Sequence, residues 1–390
     1  MALGCIGAIF ALIGPYFSSN VQSAWDATAP PVSYNMYFGD LHTHTAYSDA
    51  WEGTPWDAFA AGKAAGADFM ATTDHVYLLS PNEWTDTMLA AKSYTSDTFV
   101  AMAGYEYWTM AGHEYWHTGS GEINVFNTTN LPPEVNDHAK HANPATLASR
   151  GGGSHASRGG DLPTFYDWLA GQSGAVGQWN HPTYITRNFL DFAYLTENHD
   201  KAMGIIEVWN WKYTESSYIM ALDKGWHVMP SANSDTHSPD WISGSEVRTV
   251  LLAPSLTPDD LYGAMSAGRG YATLDRNLHV SYTLNGAILG SVLSPSATTY
   301  VASIHIEDPD GVPSDDITLV EIVSDGGIVV ASIPTSGTTV DLTITLNSVS
   351  AHYFYLRVST ASELLSMSYN HLAGDRSGVT AWTAPVWTGR

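Results

Sequence analysis

FGDLHTHTAYSDA, residues 38–50, runs from a β-rich segment into two histidines two positions apart, with Asp49 five residues beyond His44. Side chains two apart on a strand point to one face, so His42 and His44 present both imidazoles to the same side. Paired neutral imidazoles suit zinc, manganese or iron.

Outward from this stretch, short β-rich runs alternate with helical ones. DFMATTDH (68–75), FVAMAGYEY (99–107), EINVFN (122–127), AVGQWNHP (175–182), MGIIEVWN (203–210), WHVMPSANSD (226–235) and VRTVLLAP (247–254) read as mostly buried strands. Thr54-Pro55 supplies a helix N-cap and a proline at the first helical position, and Trp56, Phe59 and Ala60 give that helix an apolar face. Thr257-Pro258 opens another helix, through Met265. From Tyr37 to about Arg276 the alternation predicts a parallel sheet or barrel. Five strand ends in turn carry ionisable groups: His42 and His44, Asp74 and His75, Glu106, His181, then Asp235 and His237. One such residue can simply cap a helix or bond to a neighbour; the whole series calls for a shared purpose. In an α/β barrel those ends lie on one face, where active sites are built. Carboxylates mixed with imidazoles fit a cluster of two or three divalent ions.

In order and spacing, FGDLHTHTAYSDA, TTDH, GYE, NHP and SDTH resemble the motifs of the polymerase-and-histidinol-phosphatase (PHP) domain, over roughly residues 34–275. GRGYAT (268–273) and AWTAPVWTG (381–389) are similar to a secreted branch that includes a carbaryl hydrolase and carries a C-terminal β-domain. The resemblance implies a distorted (β/α)7 barrel and metal-dependent hydrolysis of phosphoesters, with a metal-bridging hydroxide as nucleophile. It implies two or three divalent ions, manganese, zinc or iron. One would take His42, His44 and Asp235, with Glu106 bridging to a second that also takes His181; a third would take Asp49, His75 and His237. Asp74 is implied as a group that orients an imidazole.

One position departs from the motif set. Relatives show Gly-His-x-Asn where this chain has Gly121-Glu122-Ile123-Asn124. Glu122 as an oxygen ligand would harden the second site toward manganese or magnesium. The alternatives are His113 or His117 reaching in, or a weak or empty second site. Arg187, six residues past His181, and Lys212, after the Glu207–Asn210 strand end, are candidate phosphate clamps. Arg269 is expected to pack structurally in its glycine-flanked turn. Trp51, Trp108, Trp116, Trp209 and Trp211 suggest an aromatic pocket wall that would suit an aryl ester, whereas Trp179 reads as core. A carboxylester or carbamate hydrolase is therefore the second reading, and a catalytically inactive secreted binding protein the third. No G-x-S-x-G elbow suggests serine chemistry.

After Arg276 the helical period disappears. HVSYTL, TTYVASIHIE, ITLVEIVS, GIVVASI, VDLTITL and HYFYLRVS are short strands between turn residues, which predicts a small all-β sandwich over 276–390. Residues 136–160, rich in Gly, Ser and His, read as a loop over one barrel end, with His138, His141 and His155 as solvated groups. At the other extreme, residues 2–17 are apolar but broken by Gly14-Pro15, too short to span a membrane, and followed by small residues at Val21, Ser23 and Ala24. That predicts a signal peptide over 1–24 and a secreted or periplasmic protein. Lipid anchoring at Cys5 is not expected, since nothing apolar precedes it. Removal of the leader would take the chain's one cysteine with it, excluding disulfides and thiolate zinc sites.

The charge balance narrows the partners. Among 390 residues, 15 Lys and Arg face 39 Asp and Glu, for a net charge of −24, and 16 histidines outnumber the basic residues. Nucleic acid and anionic membranes are excluded as general partners, because they require clustered Lys and Arg. A small-molecule ester is the expected substrate.

Overall fold

The computed structural model describes residues 33–110, 119–132, 161–183, 187–293, 297–347, 350–361 and 378–389, with only the backbone of Met110, Gly119, Ser120 and Arg187. The expected leader (1–24) with Cys5, and His113, Trp116, His117, His138, His141 and His155, lie outside the described residues.

β1 (Asn35–Asp40), β2 (Phe69–Thr72), β3 (Val100–Met110), β4 (Gly119–Phe126), β5 (Val176–Asn180), β6 (Met203–Trp209) and β7 (Met229–Ala232) follow one another in the sheet in chain order. The run curls back on itself. Thr43 and Thr236 form a parallel bridge, the His44 N–H donates to the Thr236 carbonyl at 3.0 Å, and the Asp235 N–H donates to the His42 carbonyl at 2.9 Å. A ring closed this way leaves no exposed edge between its first and last strands. β2, β5 and β7 are buried at every position, as expected of parallel strands covered on both faces.

The ring is distorted by one reversal. β1–β2, β2–β3, β5–β6 and β6–β7 are parallel pairs, but β4 runs antiparallel to both β3 and β5. Parallel neighbours need a long crossover, and helices supply it: α1 (Pro55–Ala64), α2 (Pro81–Tyr94), α4 (Glu197–Ala202) and α5 (Glu215–Asp223), while α3 (Leu162–Ala170) lies in the connection between the antiparallel β4 and β5. α1 starts where its cap predicts, with the Thr54 N–H donating to Asp57 Oδ2 at 2.8 Å. α6 (Pro258–Ser266) starts likewise on Thr257, whose hydroxyl accepts from the Asp260 N–H. The ring of strands with its crossover helices is the barrel that the alternation of strand and helix predicts.

Beyond β1 the same sheet continues through β8 (Arg248–Ala253), β9 (Gly270–Thr273), β17 (Ala381–Thr383), β16 (Tyr353–Thr360), β13 (Ile317–Ser324) and β14 (Ile328–Pro334), and β18 (Val386–Trp387) pairs with β16. A separate antiparallel sheet holds β11 (Ala287–Ile288), β10 (His279–Leu284), β12 (Thr299–Glu307) and β15 (Thr339–Asn347), in that order. Its β12 alternates exposed and buried at every step, so Tyr300, Ala302, Ile304 and Ile306 share a core with Val320, Ile322, Leu356 and Val358 of the facing sheet. Tyr282 Oη donates to the Phe354 carbonyl at 3.3 Å across that core. The six strands expected after Arg276 are all present and form a sandwich. One of its sheets is hydrogen-bonded to the barrel, because β17 pairs with β9 on one side and β16 on the other. Tyr34–Arg390 accordingly forms one compact unit.

Candidate metal centre

The strand ends on one rim of the barrel bring their side chains together. His42 and His44, just past β1, have their Nε2 atoms 3.2 Å apart. Asp235 Oδ1, after β7, lies 3.3 Å from His42 Nε2 and 3.0 Å from His44 Nε2. Glu106, inside β3 and 1 % exposed, is the hub. Its carboxylate is 3.4 Å from His42 and from His44, 3.0 Å from His75 Nδ1 and 3.5 Å from His181 Nε2. Asp49, on the loop after β1, is 3.6 Å from His75 Nε2 and 3.3 Å from His237 Nε2. His44 and His237 stack with ring centroids 4.1 Å apart.

Glu122 joins the cluster because β4 is reversed. A residue near the start of an antiparallel strand reaches the rim where its parallel neighbours end, and Glu122 is in register with Asn180 at the end of β5. Its carboxylate lies 3.3 Å from His181 Nε2 and 3.9 Å from His75 Nδ1. His181 and Asp235 both have positive φ, 29° and 48°, a strained backbone that the surrounding contacts must hold.

The electrostatics are those of ionisable groups crowded at a largely buried rim. Burial works against the charged forms of His42, His75 and His181, but the carboxylates around them outweigh it. Asp235, Glu106 and Glu207 hold His42 well above the ordinary histidine range; Glu106, Glu122 and Asp49 hold His75 up at about 10; Glu106 and Glu122 hold His181 at about 9. Burial, with His75 beside it, keeps His44 below that range. Burial opposes ionisation of Glu106 and Asp49, yet the imidazoles lower both, Glu106 well below the carboxylate range and Asp49 to about 2. Glu122 is raised by burial and by Glu106.

These donors fit metal ions. His75 Nδ1 and Asp235 Oδ1 are buried without a hydrogen-bond partner, although a carboxylate and an imidazole stand within 3.0 Å of them. They lie in contact with other ligand-type atoms without making a hydrogen bond of good geometry to them. Donor atoms of His42, His44 and Asp235, of His44, Asp49, His75 and His237, and of His75, Glu106 and Glu122 each lie within 4.8 Å of one another.

Behind the cluster stands a residue that sequence reasoning missed. Glu207, in the middle of β6 and fully buried, accepts at Oε1 from His42 Nδ1 and from Asn233 Nδ2, each at 2.9 Å. Its Oε2 accepts from the His181 N–H at 2.6 Å and from Asn210 Nδ2 at 2.9 Å. It is the carboxylate that orients an imidazole: it keeps a proton on His42 Nδ1, so that in the neutral ring Nε2 is the nitrogen that faces the cluster. An acid inside the apolar run MGIIEVW was the available signal.

Asp74 does not take that part, which corrects the sequence expectation. Its Oδ1 accepts from the Thr45 N–H at 2.7 Å and Ser48 Oγ at 2.6 Å, and its Oδ2 from Thr45 Oγ1 at 2.7 Å. It fastens the turn that carries His44 toward Asp49, and reaches an imidazole only through Ser48, 3.4 Å from His44 Nδ1. The turn after His44 lays Thr45 and Ser48 over the end of β2, and their donors take both carboxylate oxygens.

Of the proposed clamps, Arg187 opens a left-handed turn (188–192, φ 44–57°) and its side chain lies outside the described residues. Lys212 is exposed, its carbonyl accepting from the Asn210 N–H at 3.2 Å. Arg269 packs on the Tyr34 ring and donates to the Gly263 carbonyl. Trp179 is core, against Phe192 and Trp226, and Trp51 is exposed. Trp108 is half-buried, its ring 6.3 Å from that of Tyr77. Trp209 and Trp211 line a cavity of about 190 Å³ with Asn233, Ser234 and Thr236, beside Asp235.

Among the described residues no helix is long and apolar enough to cross a membrane. No model of a known protein family matches the chain, and no curated protein matches it. Solved structures of similar fold include two of low identity. One is a two-domain protein containing a predicted PHP-like metal-dependent phosphoesterase from Bacteroides vulgatus, 14 % identical, with a TM-score of 0.44 over 90 % of this chain and 96 % of that one. The other is an amidohydrolase from Chromobacterium violaceum with bound sulfate and no metal, 17 % identical, with a TM-score of 0.36 over 52 % of this chain and 88 % of that one. At those scores the likeness carries no argument about chemistry, which comes from the side chains themselves.

Proposed function

We propose that this protein is a metal-dependent hydrolase of phosphoesters. The observation that carries the reading is the crowding of imidazole and carboxylate donor atoms within 4.8 Å of one another, two of them buried without any hydrogen bond. His42, His44 and Asp235 would hold one divalent ion, with Glu106 shared toward a second held also by His181 and Glu122; Asp49, His75 and His237 would hold a third. Manganese, zinc or iron suits such mixed donors. When bound, such ions supply a water of lowered pKa and Lewis acidity toward the ester oxygens. The chain's own part is placement. Glu207 holds the His42 tautomer, Asp74 holds the His44 turn, and the Trp209–Trp211 cavity offers an apolar wall for the ester's organic group.

Loading has a proton signature. His75 at about 10 and His181 at about 9 both carry a proton at pH 7, and ligation requires the neutral ring. Metal added to weakly buffered metal-free protein at neutral pH is expected to release a proton from each; no release would count against ligation there. Both values are raised above the ordinary 6.5. In the metal-free protein they therefore stabilise the fold fully below about pH 6.5, and that contribution is lost as pH rises through about 9 to 10. Thermal melts of metal-free protein are expected to fall across that window.

A specific observation favours a second reading. Every ion pair to a cluster carboxylate among the described residues comes from a histidine, and Trp211 is 69 % exposed at the cavity. Such surroundings suit a bulky substrate of low charge, a carboxylester or carbamate. Aryl phosphate mono-, di- and triesters tested beside aryl acetates and carbamates separate the two. Faster turnover of phosphoesters supports the proposal. Much faster turnover of carbon esters moves the assignment to the second reading. Protein that retains no metal and hydrolyses nothing after supplementation would be a binding protein.

A further inference from the structure

A second cluster of metal-ligating side chains lies away from the barrel rim. Asp275 follows β9, Asp308 follows β12, and Asp315 ends the turn Pro313–Asp315 before β13. One carboxylate oxygen of each lies within 4.8 Å of the others. Like charges this close repel, and in an unconstrained surface loop they would swing apart. Here the backbone holds two of them. Asp308 is 2 % exposed, and its Oδ1 accepts from the Asp310 N–H at 3.0 Å. Asp275 Oδ1 accepts from the Asn277 N–H at 2.9 Å.

The independent sign of a ligand is an orphaned oxygen. Asp308 Oδ2 is buried and has no hydrogen-bond partner, and the same holds for Asn277 Oδ1 in the adjoining loop. A buried carboxylate oxygen left bare costs its full desolvation. The nearby cation does not serve it. Arg276 pairs with Asp310 at 3.2 Å and lies 3.7 Å from Glu246, while Asn277 Nδ2 donates to Asp310 Oδ1 at 3.0 Å. So Asp310 is satisfied, while Asp308 Oδ2 is left bare. Burial, reinforced by Asp275 and then Asp315, pushes the Asp308 carboxyl up to about 6.

We propose that Asp275, Asp308 and Asp315 form a calcium site that ties the end of barrel strand β9 to the connection between β12 and β13. Oxygen donors alone select a hard cation, and nothing in this set favours zinc or iron. Calcium tolerates ligands from three separate loops, with backbone carbonyls and waters completing its shell, better than magnesium with its strict octahedron. The site staples the junction between barrel and sandwich and takes no part in hydrolysis.

Thermal melts of the full-length, metal-free protein test it. About 5 mM calcium is expected to raise Tm by about 3 °C or more, and equal magnesium by less. Asp315→Asn is expected to abolish the calcium shift. Without metal the same variant should melt no lower than the parent, since a repulsion has been removed. Glu106→Gln, altered only at the barrel rim, should keep the shift, which separates this site from the proposed catalytic one. Equal calcium shifts in the parent and Asp315→Asn overturn the proposal, as does the absence of any shift in the parent. Asp308→Asn gives a second reading of the same outcomes.

Discussion

Glu106→Gln is expected to lower kcat about a thousandfold and to cost the protein at least one equivalent of bound metal. Glu106 is the one carboxylate within 3.5 Å of four imidazoles, those of His42, His44, His75 and His181. In the proposed centre it would be shared between two ion sites, and its charge would stabilise an ion in each. Removing that charge weakens interactions worth several kcal/mol in the transition state, and about 4 kcal/mol is a thousandfold in rate. Glutamine keeps the volume and can still accept from Asn180 Nδ2, now at 2.7 Å from Oε1, so the fold should survive. Elemental analysis and kcat measured on one preparation check it. Full metal content with kcat within about threefold of the parent would remove Glu106 from the centre.

The second large effect falls on stability. Glu207→Ala is expected to cost about 3–5 kcal/mol, the range seen when one partner of a buried charged network is deleted. Five donors lose an acceptor at once: His42 Nδ1, the His181 N–H, Asn210 Nδ2, Asn233 Nδ2 and, at 3.4 Å, Gln178 Nε2. The imidazole also loses the bond that fixes its tautomer, and metal affinity should fall about 10- to 100-fold. Glu207→Gln keeps the volume but puts an amide donor where an acceptor stood, so an intermediate loss is expected. Denaturant midpoints and metal titrations measure the two effects separately. A stability change below about 1 kcal/mol for Glu207→Ala would mean that other groups or water satisfy those donors.

Much of the site is legible along the chain because its ligands sit at strand ends, and strand ends announce themselves locally. An apolar β-rich run that stops in His or Asp, as at Thr72–His75 or Trp179–His181, shows both the element and the residue it delivers. The spacing of His42 and His44 settles their common face through the two-residue period of a strand. Caps such as Thr54 and Thr257 are local as well, formed by residues three apart.

Other features rest on contacts between distant parts of the chain. Glu207 meets His42 across 165 residues, and no local pattern says which buried acid faces which ring. Asp74 looked like an imidazole's partner until the turn after His44 placed Thr45 and Ser48 against it. The reversal of β4 brought Glu122 to the rim, and strand direction depends on which neighbour a strand meets. The pairing of β17 with β9 likewise joins sandwich to barrel through partners more than a hundred residues apart. Sequence by itself determined the elements and the chemical character of the rim, since periodicity and residue type act within a few positions. Tertiary structure alone decided which donors converge and which are left bare, because hydrogen bonding and desolvation depend on distances that only ring closure sets.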